Sequence, residues 1–334
     1  TLLYTKYTAF EPGQFAFERL LAIAGDTNAG MLYADRYLLK NGNSQQAPVI
    51  DYQKGSLRDD FDFGSLLFFR SSVLKQAVRA MDADYRFAGL YDLRLRVSEL
   101  AELVHVNEYL YSEVETDIRK SGEKLFDYVD PKNRAVQIEM EAVCTAYLKR
   151  VGGYLAPDFE PVTFDAGGFE QEASVIIPVR NRIRTIEDAI RSVLAQKTTF
   201  RFNLIIVDNH STDGTSEAIE KYTADGRVVH LVPERSDLGI GGCWNVGVHH
   251  PACGKFAVQL DSDDVYSGPD TLQKIVDAFY EQNCAMVVGT YRMTDFKMNE
   301  IPPGIIDHRE WTLENGRNNA LRINGLGAPR AFYT

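Results

Sequence analysis

Ala173-Ser-Val-Ile-Ile-Pro-Val-Arg-Asn-Arg182 starts the stretch that decides the fold. Leu204-Ile-Ile-Val-Asp-Asn-His-Ser-Thr-Asp-Gly-Thr215 and Phe256-Ala-Val-Gln-Leu-Asp-Ser-Asp-Asp264 follow it. Each begins as a short apolar, β-branched run and turns polar at its end, the pattern of a strand buried on both faces. Further apolar runs at Val228–Val232 and Ala285–Val288 extend the series. Between the runs lie segments of helical spacing: Ile186, Ala189, Ile190, Val193 and Leu194; Ser216 to Tyr222; Trp244–Val248; and Leu272, Ile275, Val276 and Phe279. Strand alternating with helix predicts a mostly parallel sheet with helices on both faces, and ligands at the carboxyl ends of its strands.

Working outward, the chain has 334 residues, 45% hydrophobic and 25% charged, enough for one large or two medium globular domains. The net charge of −11 argues against a general grip on nucleic acid or anionic lipid, which needs clustered Lys and Arg. Four cysteines, Cys144, Cys243, Cys253 and Cys284, lack zinc-site spacing and are too sparse for a disulfide scaffold. No run approaches the ~20 apolar residues of a membrane span and no signal peptide opens the sequence, so the expectation is a cytoplasmic protein with at most peripheral membrane association.

The amino-terminal portion is less regular. It predicts helices over Gln14–Ala24, Val73–Met81, Leu93–Leu100 and Arg134–Arg150, and strands at Met31–Ala34, Leu66–Phe69 and Leu103–Val106. Gly152, Gly153, Pro157, Pro161, Gly167 and Gly168 mark a linker over 151–168. The expected domains are therefore 1–150 and 169–334. Phe256 to Tyr291 also lies over Thr1 to Arg36 as a weak internal repeat, with Met286 on Met31, Ile306–Asp307 on Ile50–Asp51 and Arg330 near Arg70. The expectation is a fragment holding the back half of one domain and the front half of its twin.

The chemistry concentrates in Asp261-Ser262-Asp263-Asp264. Crowded carboxylates raise one another's pKa unless a cation or donor hydrogens intervene. Hard divalent ions such as Mn2+ or Mg2+ favour such oxygens, commonly bridging one or two carboxylates to substrate phosphates.

Taken in order, the three stretches resemble the family 2 glycosyltransferases of the GT-A (Rossmann-like) fold, whose members typically read VSVIIPVYN, IIVDDGSTDGT and LDSDD. The resemblance covers about Ala173 to Thr290. It implies an inverting, metal-dependent enzyme of polysaccharide biosynthesis. Such an enzyme moves a sugar from a nucleoside diphosphate, UDP or GDP, to a glycan or lipid-linked acceptor. The alternative is a sugar-nucleotide-binding scaffold for a partner transferase.

By the same resemblance Pro178, Val179 and Asn181 lie at the lip that cradles the nucleotide, although Pro178 and Val179 also read as a plain strand end. Asp208 accepts a hydrogen bond from the base, or else makes an Asx turn or helix cap. Asp261 contacts ribose or base, Asp263 holds the metal with Asp264 beside it, and Asn245 matches the Asn of a G-x-x-x-A-R-N-x-G segment. In that segment Trp244 stands where Arg is usual; Arg180 replaces Tyr, and His210, read as a surface residue, replaces Gly. The family's general base comes from an ED-like pair that does not follow Asp264 here. In the first half, Ala88-Gly-Leu-Tyr-Asp-Leu-Arg-Leu-Arg96 resembles G-x-E-D-x-D-L-x-L-R, which makes Asp92 the base candidate against ordinary charge at a helix start. Lys6, Tyr7 and Thr8 fall where that copy's metal motif belongs, so the first copy is expected to be degenerate.

Overall fold

The computed structural model describes residues 1–40, 42–115, 128, 130–164, 167–323, 326, 327 and 329–334. The chain forms two compact units: 1–156 with 294–325, and 157–293 with 326–334.

In the second unit, β7 (Ala173–Val179), β8 (Phe202–Asp208), β9 (Val228–Leu231) and β10 (Phe256–Gln259) run parallel in spatial order β9-β8-β7-β10. β14 (Arg330–Tyr333) adds antiparallel to β10, and β11 (Met286–Val288) antiparallel to β14. The apolar runs are explained by burial on both faces. Val175, Ile177, Leu204 and Ile206 point to a core shared with Ile186, Ala189, Ile190 and Val193 of α5 (Ile186–Leu194). Ala218 and Ile219 of α6 (Thr215–Glu220) and Leu272, Val276 and Phe279 of α8 (Thr271–Gln282) complete that layer. The alternate residues Ile176, Ile205 and Val207 face α7 (Gly239–Val248) through Cys243. A Cβ on Gly247 would sit 2.6 Å from Ile176 Cγ2, so glycine is what lets α7 lie this close to β7. This is the expected mostly parallel α/β sheet with helices on both faces.

The first unit contains β1 (Leu2–Tyr4), β2 (Phe10–Pro12), α1 (Ala16–Thr27), β3 (Met31–Lys40), β4 (Asn43–Ala47), β5 (Leu66–Phe69), α2 (Ser71–Arg79), α3 (Gly89–Leu100), β6 (Leu103–Val114) and α4 (Arg134–Arg150). Its sheet runs β1-β5-β3-β6-β2, with β4 also paired to β3. β5 lies antiparallel between β1 and β3, as β14 lies antiparallel between β10 and β11. The ladders give a different match from the one expected of the repeat. Leu2 faces Phe68 and Ala257 faces Phe332, which sets Phe332 over Phe68 rather than Arg330 over Arg70.

The second unit is not the contiguous 169–334 that composition suggested. After β12 (Tyr291–Thr294), the stretch carrying β13 (Glu300–Ile306) and α9 (Asn319–Arg322) belongs to the first unit. The reason is ionic. Arg322 is fully buried and donates to Asp59, to Glu141 at 3.4 Å, to Gln137 at 3.0 Å and to Asn319 at 2.8 Å.

Candidate functional site

The sheet of the second unit switches direction between β7 and β10, the neighbours on either side of which are reached by opposite crossovers. Ligand crevices in open α/β sheets form at such a point, outside the carboxyl ends of the strands. Val179 pairs with Asp208 at the ends of β7 and β8, and Leu260 N–H donates to Ile176 O as β10 finishes. The loops that follow carry Arg180–Arg184, Asn209–Gly214 and Asp261–Asp264.

The first two loops are stitched together. Asn181 adopts φ 54°, its Oδ1 accepts from Thr212 N–H at 2.8 Å, and its own N–H donates to Ser211 Oγ at 3.0 Å. Arg182 N–H donates to Thr215 Oγ1 at 2.8 Å and Ile183 N–H to Asp213 Oδ2 at 3.2 Å. Asn181 is therefore a loop fastener, with Pro178 and Val179 buried beneath it.

Asp208 is fully buried. Its Oδ1 accepts from Ser211 N–H at 2.9 Å, three residues on, and its Oδ2 accepts from the Ser216 hydroxyl. His230 Nε2 lies 3.7 Å away, an ion-pair rather than a hydrogen-bond distance. Burial alone would raise this carboxyl, but His230, Ser211 and Ser216 together hold it well below the usual range, and His230 is raised in return by Asp208. Both Asp208 oxygens are thus engaged inside the protein. The open acceptor is its neighbour: Asn209 is 5% exposed and its Oδ1 has no partner. Sequence reading passed over Asn209, although it stands at the second carboxylate position of the IIVDDGSTDGT pattern. His210 adopts φ 60°, which explains why glycine suits that position, and its Nε2 is buried without a partner. The residue as a whole is half-buried, where a surface histidine was expected.

Asp261 Oδ1 accepts from Gln259 Nε2 at 3.1 Å, and Gln259 Oε1 accepts from Arg330 Nε at 2.7 Å. Asp263 Oδ2 lies 3.7 Å from Arg182 Nε, both side chains being about half exposed, at 48% and 50%. Asp264 is pushed up to about 6, first by the protein packed around its carboxyl and then by the charges of Asp261 and Asp263, even though solvent reaches the residue. Asn245 is exposed on α7, while Trp244 packs against the Ile176–Val207 core. Among the described residues no group of three or more His, Cys, Asp or Glu side chains converges to cage a metal. Carboxylates that crowd in this way can offer one or two oxygens to a hard cation.

Asp92, in the first unit, needs correction. It is 1% exposed, with both oxygens on Arg96 Nε at 2.9 and 3.1 Å, one turn along α3. Arg150 approaches to 3.9 Å. A carboxylate buried and paired this way anchors its helix and is withdrawn from solvent. The D-L-x-L-R spacing, which sets Asp92 four residues before Arg96, carried that signal. Lys6 is also paired: its Nζ donates at 2.9 Å to Glu113, which is fully buried and also contacts Arg36.

Comparison with known proteins bears on the second unit. A Bacillus subtilis glycosyltransferase, TuaG, whose name assigns it to teichuronic acid biosynthesis, is 33% identical over 120 residues. The match covers 36% of this chain and 46% of that protein, so the chain spans less than half of this relative. An uncharacterized glycosyltransferase of Rickettsia conorii is 38% identical over 97 residues, covering 29% of this chain and 15% of that one. Among solved structures, S. aureus TarS 1–349 in complex with UDP-GlcNAc is 25% identical with a TM-score of 0.39, covering 48% of this chain and 45% of that one. A mannosyltransferase from Pyrobaculum calidifontis, solved with GDP-Man and Mn2+, is 20% identical with a TM-score of 0.34, covering 48% and 45%. Residues 174–331 match the model of Glycosyl transferase family 2.

Proposed function

We propose that the second unit binds a nucleoside diphosphate sugar, with UDP or GDP as the nucleotide, at the carboxyl ends of β7, β8 and β10. The full protein would transfer the sugar with inversion to a glycan or lipid-linked acceptor. The observation that carries the reading is the trio Asp261, Asp263 and Asp264 on the loop that follows β10, where burial first and then the charges of Asp261 and Asp263 raise Asp264.

In this reading Asn209 Oδ1 accepts from a ring N–H of the base, with Asp208 holding the turn that aims it. Asp261, kept in place by Gln259, faces the ribose. Asp263, with Asp264 beside it, would hold Mn2+ or Mg2+, and such an ion offsets the charge on the departing diphosphate. Pro178 and Val179 form the floor under the nucleotide, and Asn245 faces the donor from α7. The related topology of β1-β5-β3 and β10-β14-β11 supports two copies of one ancestral fold, the first degenerate. The sealed Asp92 favours a second reading for that first unit, a non-catalytic scaffold. No helix among the described residues is long and apolar enough to cross a membrane, which fits a protein working in the cytoplasm or at a membrane surface.

Calorimetric titration of UDP and GDP, with and without Mn2+, into wild type and Asp263→Ala tests the reading. We expect Mn2+-dependent binding of one nucleotide, weakened at least about tenfold by the substitution, which is about 1.4 kcal/mol. Binding that ignores both the metal and the substitution would refute it.

A further inference from the structure

We infer that Arg182 is a counter-ion shared between two partners: it rests on Asp263 when that carboxylate holds no divalent cation, and it turns to the donor diphosphate when a cation arrives. The inference rests on the donor-site reading above and adds a residue to it.

Arg182 has a fixed root and a loosely held head, whose Nη1 donates to Asn181 O at 3.3 Å. Its N–H is tied to Thr215 Oγ1, and its carbonyl accepts from Thr185 N–H at 3.0 Å and Ile186 N–H at 2.9 Å as α5 begins. Asn181, before it, is locked by Thr212 and Ser211. The backbone of Arg182 therefore cannot drift, while its side chain is half exposed and lies 3.7 Å from Asp263 Oδ2. An open pair at that distance is weak and easily displaced.

The chemistry of the lip supplies the reason to switch. With three carboxylates present and no bound cation, a guanidinium on Asp263 relieves part of their repulsion. A divalent ion seated on Asp263 removes that role and repels the guanidinium. A diphosphate brought in with the ion offers several oxygens in the geometry that the planar fork of arginine matches. Arg182 is a binding residue in this account, and it takes no proton and makes no bond.

The test separates the two roles by the sign of their effects. In the full chain, free Mn2+ is counted by its electron paramagnetic resonance signal as protein is added, first alone and then with UDP, GDP or inorganic pyrophosphate. Wild type is compared with Arg182→Ala, Arg182→Lys and Asp263→Ala. Arg182→Ala is expected to tighten binding of Mn2+ alone by about two- to fivefold, since a competing cation is gone, and to weaken Mn2+-dependent pyrophosphate and nucleotide binding about tenfold. Arg182→Lys should fall between, because an ammonium keeps the charge without the fork. If Arg182→Ala moves both affinities in the same direction, or neither, the inference is overturned. A loss seen with UDP or GDP but not with pyrophosphate would put Arg182 on the base, which also overturns it. Failure of the underlying reading looks different: Asp263→Ala would then leave Mn2+ and nucleotide binding unchanged.

Discussion

Replacing Arg322 with alanine should destabilise the first unit by about 3 kcal/mol at neutral pH. The guanidinium is fully buried against Asp59 and Glu141, whose side chains are 12% and 4% exposed. Removing one member of such a group leaves buried charge behind and typically costs about 3–5 kcal/mol. The low end applies here because Glu141 keeps three hydrogen bonds from Asn318, two from its N–H at 3.1 Å and one from its side-chain amide at 2.7 Å. Asp59 is less protected. Its pKa is raised by burial, and Arg322 is the largest influence opposing that rise. Without the arginine the carboxyl rises further, so it takes up a proton in the fold before it would in the unfolded chain. A raised folded pKa contributes stability that is present at low pH and lost as pH rises, so the cost of the substitution should shrink as pH falls toward 5. The chain offers a selective readout, since its two tryptophans divide between the units, Trp311 in the first and Trp244 in the second. Urea unfolding in a Trp244→Phe background reports the first unit through Trp311. A loss of about 3 kcal/mol moves its midpoint by roughly 1–2 M. A shift worth less than about 1 kcal/mol, or a cost that grows as pH falls, would refute the reasoning.

Two further substitutions test the site loops. Asp264 sits at about 6 in the fold against an ordinary 3.8, so its charged form is disfavoured. Wild-type stability of the second unit should decline as pH rises from about 4 through 6, and Asp264→Asn should remove the decline. The gain at pH 7 is about 1 kcal/mol once solvent screening at this open position is allowed for, and it should vanish below pH 4, as read by Trp244 fluorescence in urea. His210→Gly should raise the stability of the same unit by about 1 kcal/mol, because it relieves a left-handed backbone at φ 60° and removes a buried, unpartnered Nε2. An unchanged or lower midpoint would mean that the imidazole has a partner worth more than the strain.

Much of the second unit was legible because its strands are buried on both faces, which turns them into apolar runs that few other structures produce. The ends of those runs were legible too, since Asp, Asn and Gly gather there. What the runs could not convey is which of two adjacent polar residues turns inward. Asp208 is drawn into the Ser211 and Ser216 hydroxyl and amide donors, and Asn209 is left as the open acceptor, an outcome set by loop geometry. Asp92 was misjudged for a related reason: attention to its place at a helix start overlooked Arg96 one turn later, whose reach seals it. The excursion of 294–325 into the first unit had no periodic signature at all. It is held by pairs far apart in sequence, Arg322 with Asp59 and Asn318 with Glu141 among them, and such meetings leave no local pattern.

That excursion also sets a timetable for synthesis. Asp59 and its arginine are 263 residues apart in the chain, so the first unit emerges from the ribosome with its carboxylates awaiting a partner still to be translated. Growth at about 5–20 residues per second makes this wait tens of seconds, long compared with the folding of small domains. The first unit would spend that interval incomplete, and the second would close β14 onto β10 only after 294–325 had been made. The last native contacts of both units therefore wait on the same late stretch of chain.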